Sequence, residues 1–239
     1  MVRLLMLIFV LSAPVAAQER VDLELVLLAD ASGSIDDVEI ALQRQSYAEA
    51  MADPQVLWAI ENGGAEGRIA VAYVEWASAA SQDVVVDWMV VEDAASAAEF
   101  GRRLMAPPRR TFGSNAIGSA LLKGLELIEG NRFDGWRRVI DLSADSSWNP
   151  QGPPIAAARE VVVAAGVTIN GLAILCRAAN CSGRPRAGDL EAEFEQQMIG
   201  GPGAFVVTAE DAPSFMRAVR RKLILEIAGL GQRAENRVR

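Results

Sequence analysis

Two periods of apolar and polar residues alternate along the chain. Residues 23–29 are apolar at every position except Glu24, the pattern of a strand buried on both faces. Residues 35–51 then bring Ile35, Val38, Leu42, Tyr47 and Met51 round at helical spacing. Two β-branched runs, 68–76 and 83–91, are joined by the short polar segment 77–82 and predict an antiparallel hairpin at a sheet edge. A helix over 94–104 ends at Pro107-Pro108, and another over 117–128 stops at Gly130-Asn131. The rest reads as a strand over 138–142, a helix opened by Pro153-Pro154 and running to 165, and a strand over 167–175. A helix over 190–198, a short strand over 204–207 and a closing helix over 212–228 follow. Strands alternating with helices predict an α/β class: a doubly wound, mostly parallel six-stranded sheet with helices on both faces and one antiparallel edge strand.

The ends add an address. Arg3, the apolar run 4–10, the Ser12-Ala13-Pro14 break and Val15-Ala16-Ala17 before Gln18 form the pattern of a cleaved secretory signal over residues 1–17. The run is shorter than the ~20 residues of a membrane span. Residues 18–239 are expected to form a single domain, periplasmic or secreted, with no later segment long and apolar enough to cross a bilayer. Cys176 and Cys181, four residues apart, are expected to pair in that compartment. So short a loop gains only about 2 kcal/mol, so the bridge shapes a loop more than it holds the fold.

Charge and composition narrow the chemistry. The net charge is −8, and loss of the leader, which carries one Arg and no acid, makes it more negative; nucleic acid is a poor partner for such a surface. The chain has no histidine, which excludes a Ser-His-Asp triad, an imidazole base and a His-ligated zinc. Any metal here must be held by oxygen, which points to Mg²⁺, Mn²⁺ or Ca²⁺. Asp30-Ala31-Ser32-Gly33-Ser34 supplies such oxygens where the first strand stops. In an open parallel sheet, that position faces the crevice in which ligands bind. Asp145 stands in the same position after a later strand, in Ser143-Ala144-Asp145-Ser146-Ser147. Two carboxylates converging on one crevice repel unless a cation lies between them.

Asp30, Ser32 and Ser34 resemble the metal-ion-dependent adhesion site (MIDAS) of von Willebrand factor type A (VWA) domains, and the order of elements matches over nearly all of the mature chain. Within that superfamily the sequence resembles a group of secreted bacterial proteins of unknown function, through residues 25–34, Gly118-Ser119-Ala120-Leu121, residues 199–205 and residues 221–229. The resemblance implies a Rossmann-like VWA fold with strand order 3-2-1-4-5-6, and metal ligands from two further loops. Asp145 matches the aspartate after the fourth strand. Where the family has threonine before its third helix, this chain has Asn115, whose carbonyl also binds hard cations but reaches farther. Thr111 and Ser114 are the hydroxyls that a shifted loop would offer instead.

The implied metal set is therefore Asp30, Ser32, Ser34, Asn115 and Asp145, with Mg²⁺, Mn²⁺ or Ca²⁺ as the ion. The implied partner is a protein that offers a Glu or Asp carboxylate to the metal, with Arg109 and Arg110 favouring an acidic surface and Trp148 an apolar contact. On this reading the protein is a binding module and not an enzyme. A VWA-like domain that works without metal is the alternative. A Mg²⁺-dependent phosphoryl hydrolase with Asp30 as nucleophile is a third reading; it is disfavoured because Ser32 stands where a second aspartate is wanted.

Overall fold

The computed structural model describes residues 18–175 and 189–229. Cys176, Cys181 and the leader over 1–17 lie outside them. The elements run β1 (Glu19–Asp30), α1 (Asp37–Met51), α2 (Pro54–Asn62), β2 (Ile69–Trp76), β3 (Gln82–Val91), α3 (Ala94–Met105), α4 (Ile117–Glu129) and β4 (Phe133–Ala144). They continue with α5 (Ile155–Ala164), β5 (Thr168–Ile174), α6 (Leu190–Glu193) leading into a π turn (Phe194–Met198), β6 (Val206–Ala209) and α7 (Ala212–Ala228). The strands form one sheet in the order β3-β2-β1-β4-β5-β6. All neighbours are parallel except β2 and β3, which pair antiparallel at one edge. The doubly wound fold expected from the sequence is the fold observed.

β1 lies in the middle because both of its faces are apolar. Successive side chains of a strand point to opposite faces; Leu23, Leu25, Leu27 and Ala29 enter one core with α1, α2, α3 and α7, whereas Val26 and Leu28 enter the other with α4, α5 and the π turn. The parallel register sets Asp30 level with Trp76 and Leu28 level with Leu142, so the ends of β1, β2 and β4 reach the same edge of the sheet.

Several elements differ from the sequence reading. β1 and β4 each run to 12 residues, longer than their apolar centres, and the flanking polar side chains find partners: Asp22 accepts from Glu66 N at 3.0 Å and from Arg68 N at 3.3 Å, and Arg137 donates to Ile227 O at 2.6 Å. α2, absent from that reading, begins with Asp53 as N-cap and Pro54 in its first turn. The last strand lies two residues later than expected, at Val206–Ala209. The expected apolar stripe at α1 is buried in part: Ile35, Tyr47 and Met51 are buried and Leu42 is half-buried. Val38 is 77% exposed, and Gln43 and Arg44 are buried with Ile40, Tyr47 and Met51.

α7 starts with a capping box, Asp211 bonding Ser214 N, and ends at Gly229 in the left-handed region at φ 63°. It carries a buried cation into the sheet. Lys222 Nζ lies 2.7 Å from Asp141 Oδ1 of β4 and 2.6 Å from Glu226 Oε1, and Asn170 of β5 donates to that same Glu226 oxygen at 3.0 Å.

Candidate functional site

The crevice at the carboxyl ends of β1, β2 and β4 is built by three loops. After Asp30 the chain makes one last ladder bond, Ala31 N to Trp76 O at 2.8 Å, and then turns. Ser32 N donates back to Asp30 Oδ1 at 2.8 Å, an Asx turn that holds the carboxylate over the loop. The Ser32 and Ser34 hydroxyls lie 3.3 Å apart on the same turn. Ser34 is not the cap of α1. That role belongs to Asp36, paired reciprocally with Glu39, so the serine oxygens stand apart from the helix start.

The second loop, 106–116, is clamped to the first. Gly33 N donates to Gly113 O at 2.8 Å. Gly113 sits at φ 120°, and a Cβ there would meet the Ser78 Cβ at 3.0 Å, so only glycine fits. Arg109 donates to Ala31 O at 2.8 Å and pairs with Asp37 at 2.8 Å. Arg110 pairs with Asp83 at 2.9 Å. Both arginines, expected from sequence to attract an acidic partner, are instead engaged by the protein's own groups, and Arg109 works as a brace between loops. Of the two hydroxyls that a shifted loop would offer, Thr111 is fully buried and its Oγ1 donates to Glu75 O at 3.4 Å. Asn115 Nδ2 donates to Ser146 Oγ at 2.8 Å, tying this loop to the third one.

The third loop follows β4. Asp145 N donates to Asp30 Oδ2 at 3.4 Å, which brings the two acids side by side. Asp30 is fully buried. Burial, and after it the charge of Asp145, push its carboxyl up to about 7. All five sequence-expected residues therefore stand on the three loops of one crevice, with Asp30, Ser32, Ser34 and Asp145 adjacent and Asn115 joined through Ser146. Among the described residues no Lys or Arg is paired with Asp30. The donor set is all oxygen, two carboxylates with two hydroxyls, and fits a hard divalent cation.

Several supporting residues escaped the sequence reading. Gln43 Nε2 donates to the Asp30 carbonyl at 2.9 Å, fixing the strand end. Arg44 makes a two-pronged pair with buried Glu75 at 2.6 and 3.0 Å and reaches the Pro107 carbonyl, which ties α1, β2 and the second loop together. A signal was present: Gln43-Arg44 interrupts the stripe Ile40, Tyr47, Met51, and Glu75 interrupts an otherwise apolar strand. Phe112 and Trp148, 57% and 60% exposed, project from the loops that carry Asn115 and Asp145.

Comparison with known proteins agrees with this architecture. The sequence model of the family described as "Protein of unknown function (DUF1194)" matches residues 20–231. A comparison with curated proteins finds no match. Among solved structures, proximal thread matrix protein 1 from the mussel byssus, in a form with a zinc-occupied MIDAS motif, is similar at TM-score 0.61 and 16% identity, over 89% of this chain and 50% of that one. A von Willebrand factor type A protein from Catenulispora acidiphila is similar at TM-score 0.57 and 15% identity, over 89% and 43%. The pilus adhesin SpaC from Lactobacillus rhamnosus GG is similar at TM-score 0.59 and 12% identity, over 88% and 31%. The chain thus spans between about a third and a half of these proteins. The shared fold is that of VWA domains.

Proposed function

The chain belongs to that family of unknown function, and on this premise we propose that it is a metal-ion-dependent binding module, exported by the leader in residues 1–17, that recognises a carboxylate on a protein partner. The observation that carries the proposal is Asp30: a fully buried carboxylate beside a second acid, with no basic side chain paired to it among the described residues. A charge taken out of water is costly without a counter-charge. Asp30, Ser32, Ser34 and Asp145 would hold Mg²⁺, Mn²⁺ or Ca²⁺, with the Asn115 carbonyl in the place of the family threonine. The ion would supply an electrostatic anchor for a partner's Glu or Asp. Phe112 and Trp148 offer exposed aromatic contact on the same loops. No catalytic step is assigned: Asp30 is fully buried, and the chain has no histidine to serve as base.

Titration with Mn²⁺ followed by electron paramagnetic resonance tests the ion directly. Wild-type protein should quench the free-ion signal at one equivalent, and Asp145→Ala should not. If wild type leaves the signal untouched, the second reading takes its place: a metal-free VWA-like interaction domain. That reading has an observation of its own, since Asn115 engages Ser146 where the family has a hydroxyl ligand. Capture of the partner from periplasm with and without EDTA separates the two functions in the same way.

A further inference from the structure

The two edges of the sheet are finished differently. β3, at one edge, is blunted in the ways that natural edge strands are. It carries Asp83 and Asp87, its register against β2 slips on both sides of Tyr73, and Asp87 Oδ1 accepts from Trp88 N at 2.8 Å. β6, at the other edge, has none of these devices. Val206-Val207-Thr208-Ala209 holds no charge and no proline and keeps an even register with β5.

The ladder bonds show which groups of β6 are open. Gly171 N donates to Phe205 O at 2.9 Å and Leu175 N to Ala209 O at 2.7 Å, so these odd-numbered residues turn toward β5. Alternation along the strand then turns the N–H and C=O of Val206 and Thr208 away from the sheet, and among the described residues they have no backbone partner on that side. A groove of about 410 Å³ runs along this edge, lined by Val206, Val207 and Thr208 with flanking side chains from two helices. α6 covers the face that holds Val206, and α7 the face that holds Val207. Glu191 therefore flanks the edge from one face, and Arg221 and Leu225 flank it from the other. Both charges are exposed, and neither is ion-paired among the described residues.

We infer that this groove takes an extended segment of a partner polypeptide, added to the six-stranded sheet beside β6. Main-chain bonds to Val206 and Thr208 hold it. Successive side chains of a strand point to opposite faces, so the segment that fits carries a basic side chain toward Glu191 and an acidic or apolar one toward Arg221 and Leu225. A second copy of β6 does not meet that requirement. Antiparallel pairing about a two-fold axis normal to the sheet sets α6 beside α6 and α7 beside α7, like charge on like. The ladder on a strand of four residues is short, so these side-chain contacts decide which segment binds. The inference does not rest on the Asp30 crevice, which lies at the ends of β1, β2 and β4.

The probe is the peptide TVKEVT, acetylated and amidated, titrated into the isotopically labelled protein. It should shift the amide resonances of Val206 and Thr208 saturably and slow their exchange with solvent. The same peptide N-methylated at alternate amides should bind in one phase of methylation and fail in the other, because only one edge of a strand faces the sheet. Thr208→Pro removes an outward N–H at an edge where proline is tolerated, and it should weaken the peptide by about tenfold. Arg221→Glu, at an exposed position, guards against a proline variant that fails to fold: it should weaken TVKEVT severalfold and bind TVKKVT better than wild type does. The inference is overturned if the peptide leaves Val206 and Thr208 unmoved, if both methylated forms bind as well as the parent, or if Arg221→Glu leaves the preference between the two peptides unchanged. Movement of the same two resonances with protein concentration alone would give the edge to a second copy and overturn it as well.

Discussion

Two sets of buried acids lie on the same sheet and are treated differently. Asp141 and Glu226 share Lys222, a cation built into α7 at 2.7 and 2.6 Å. Asp30, at the end of β1 and next to Asp145, is equally buried but receives backbone N–H groups and no paired lysine or arginine among the described residues. The basic side chain nearest to its loop, Arg109, turns to the Ala31 carbonyl and to Asp37 instead. In the interior a charge needs a counter-charge. One acidic set carries its own, fixed by the covalent chain; the other has none built in among the described residues, which is the difference on which the proposed metal site rests.

The largest effect should come from breaking the internal set. Lys222→Met leaves Asp141 and Glu226 without their cation and should cost about 3–5 kcal/mol, as for other buried pairs that lose one partner. Urea denaturation at neutral pH measures it, and the cost should shrink in acid as the two carboxyls take up protons.

Glu226 also gives the comparison a pH signature. Burial pushes its carboxyl from the ordinary 4.5 up to about 7, Lys222 opposing and Asp141 adding to the shift. The folded state therefore holds this proton more tightly than the unfolded chain, and stability is lost as pH rises between those values. Glu226→Gln cannot titrate, so its urea midpoint should fall less than that of wild type across the same window.

How far these features were legible in the sequence follows from where the information lies. β1 and the acids at the ends of β1 and β4 could be read because a continuous apolar run announces a central strand, and the residue that ends it must face the crevice. The buried face of α1 could be read only in part. Its Gln43 and Arg44 are buried only because the Asp30 carbonyl and Glu75 wait for them across the fold; a periodicity count found Ile35, Tyr47 and Met51 but added the exposed Val38 and could not find the two polar residues. Arg109 was misread for the same reason: a loop arginine declares its charge in sequence, but not the carbonyl it will brace. The Asn115 to Ser146 bond joins loops 31 residues apart and has no local signature.

The smallest effect sharpens the ligand set. Asn115→Thr should tighten Mg²⁺ binding while changing the metal-free melting temperature little, because the exchange restores a hydroxyl ligand and gives up one neutral hydrogen bond, worth about 1 kcal/mol. Calorimetric titration of Mg²⁺ into both proteins gives the comparison.

The difference between the two acidic sets is tested most directly by thermal unfolding of wild type and Asp30→Ala in EDTA and in millimolar Mg²⁺, Mn²⁺ and Ca²⁺. An ion at a hundredfold excess over its Kd should stabilise wild type by about 2.7 kcal/mol, and Asp30→Ala should abolish that gain while melting in EDTA at or above the wild-type temperature, since the repulsion from Asp145 is gone. Identical wild-type melts in EDTA and in every metal would contradict the assignment of Asp30, Ser32, Ser34 and Asp145 to a metal site.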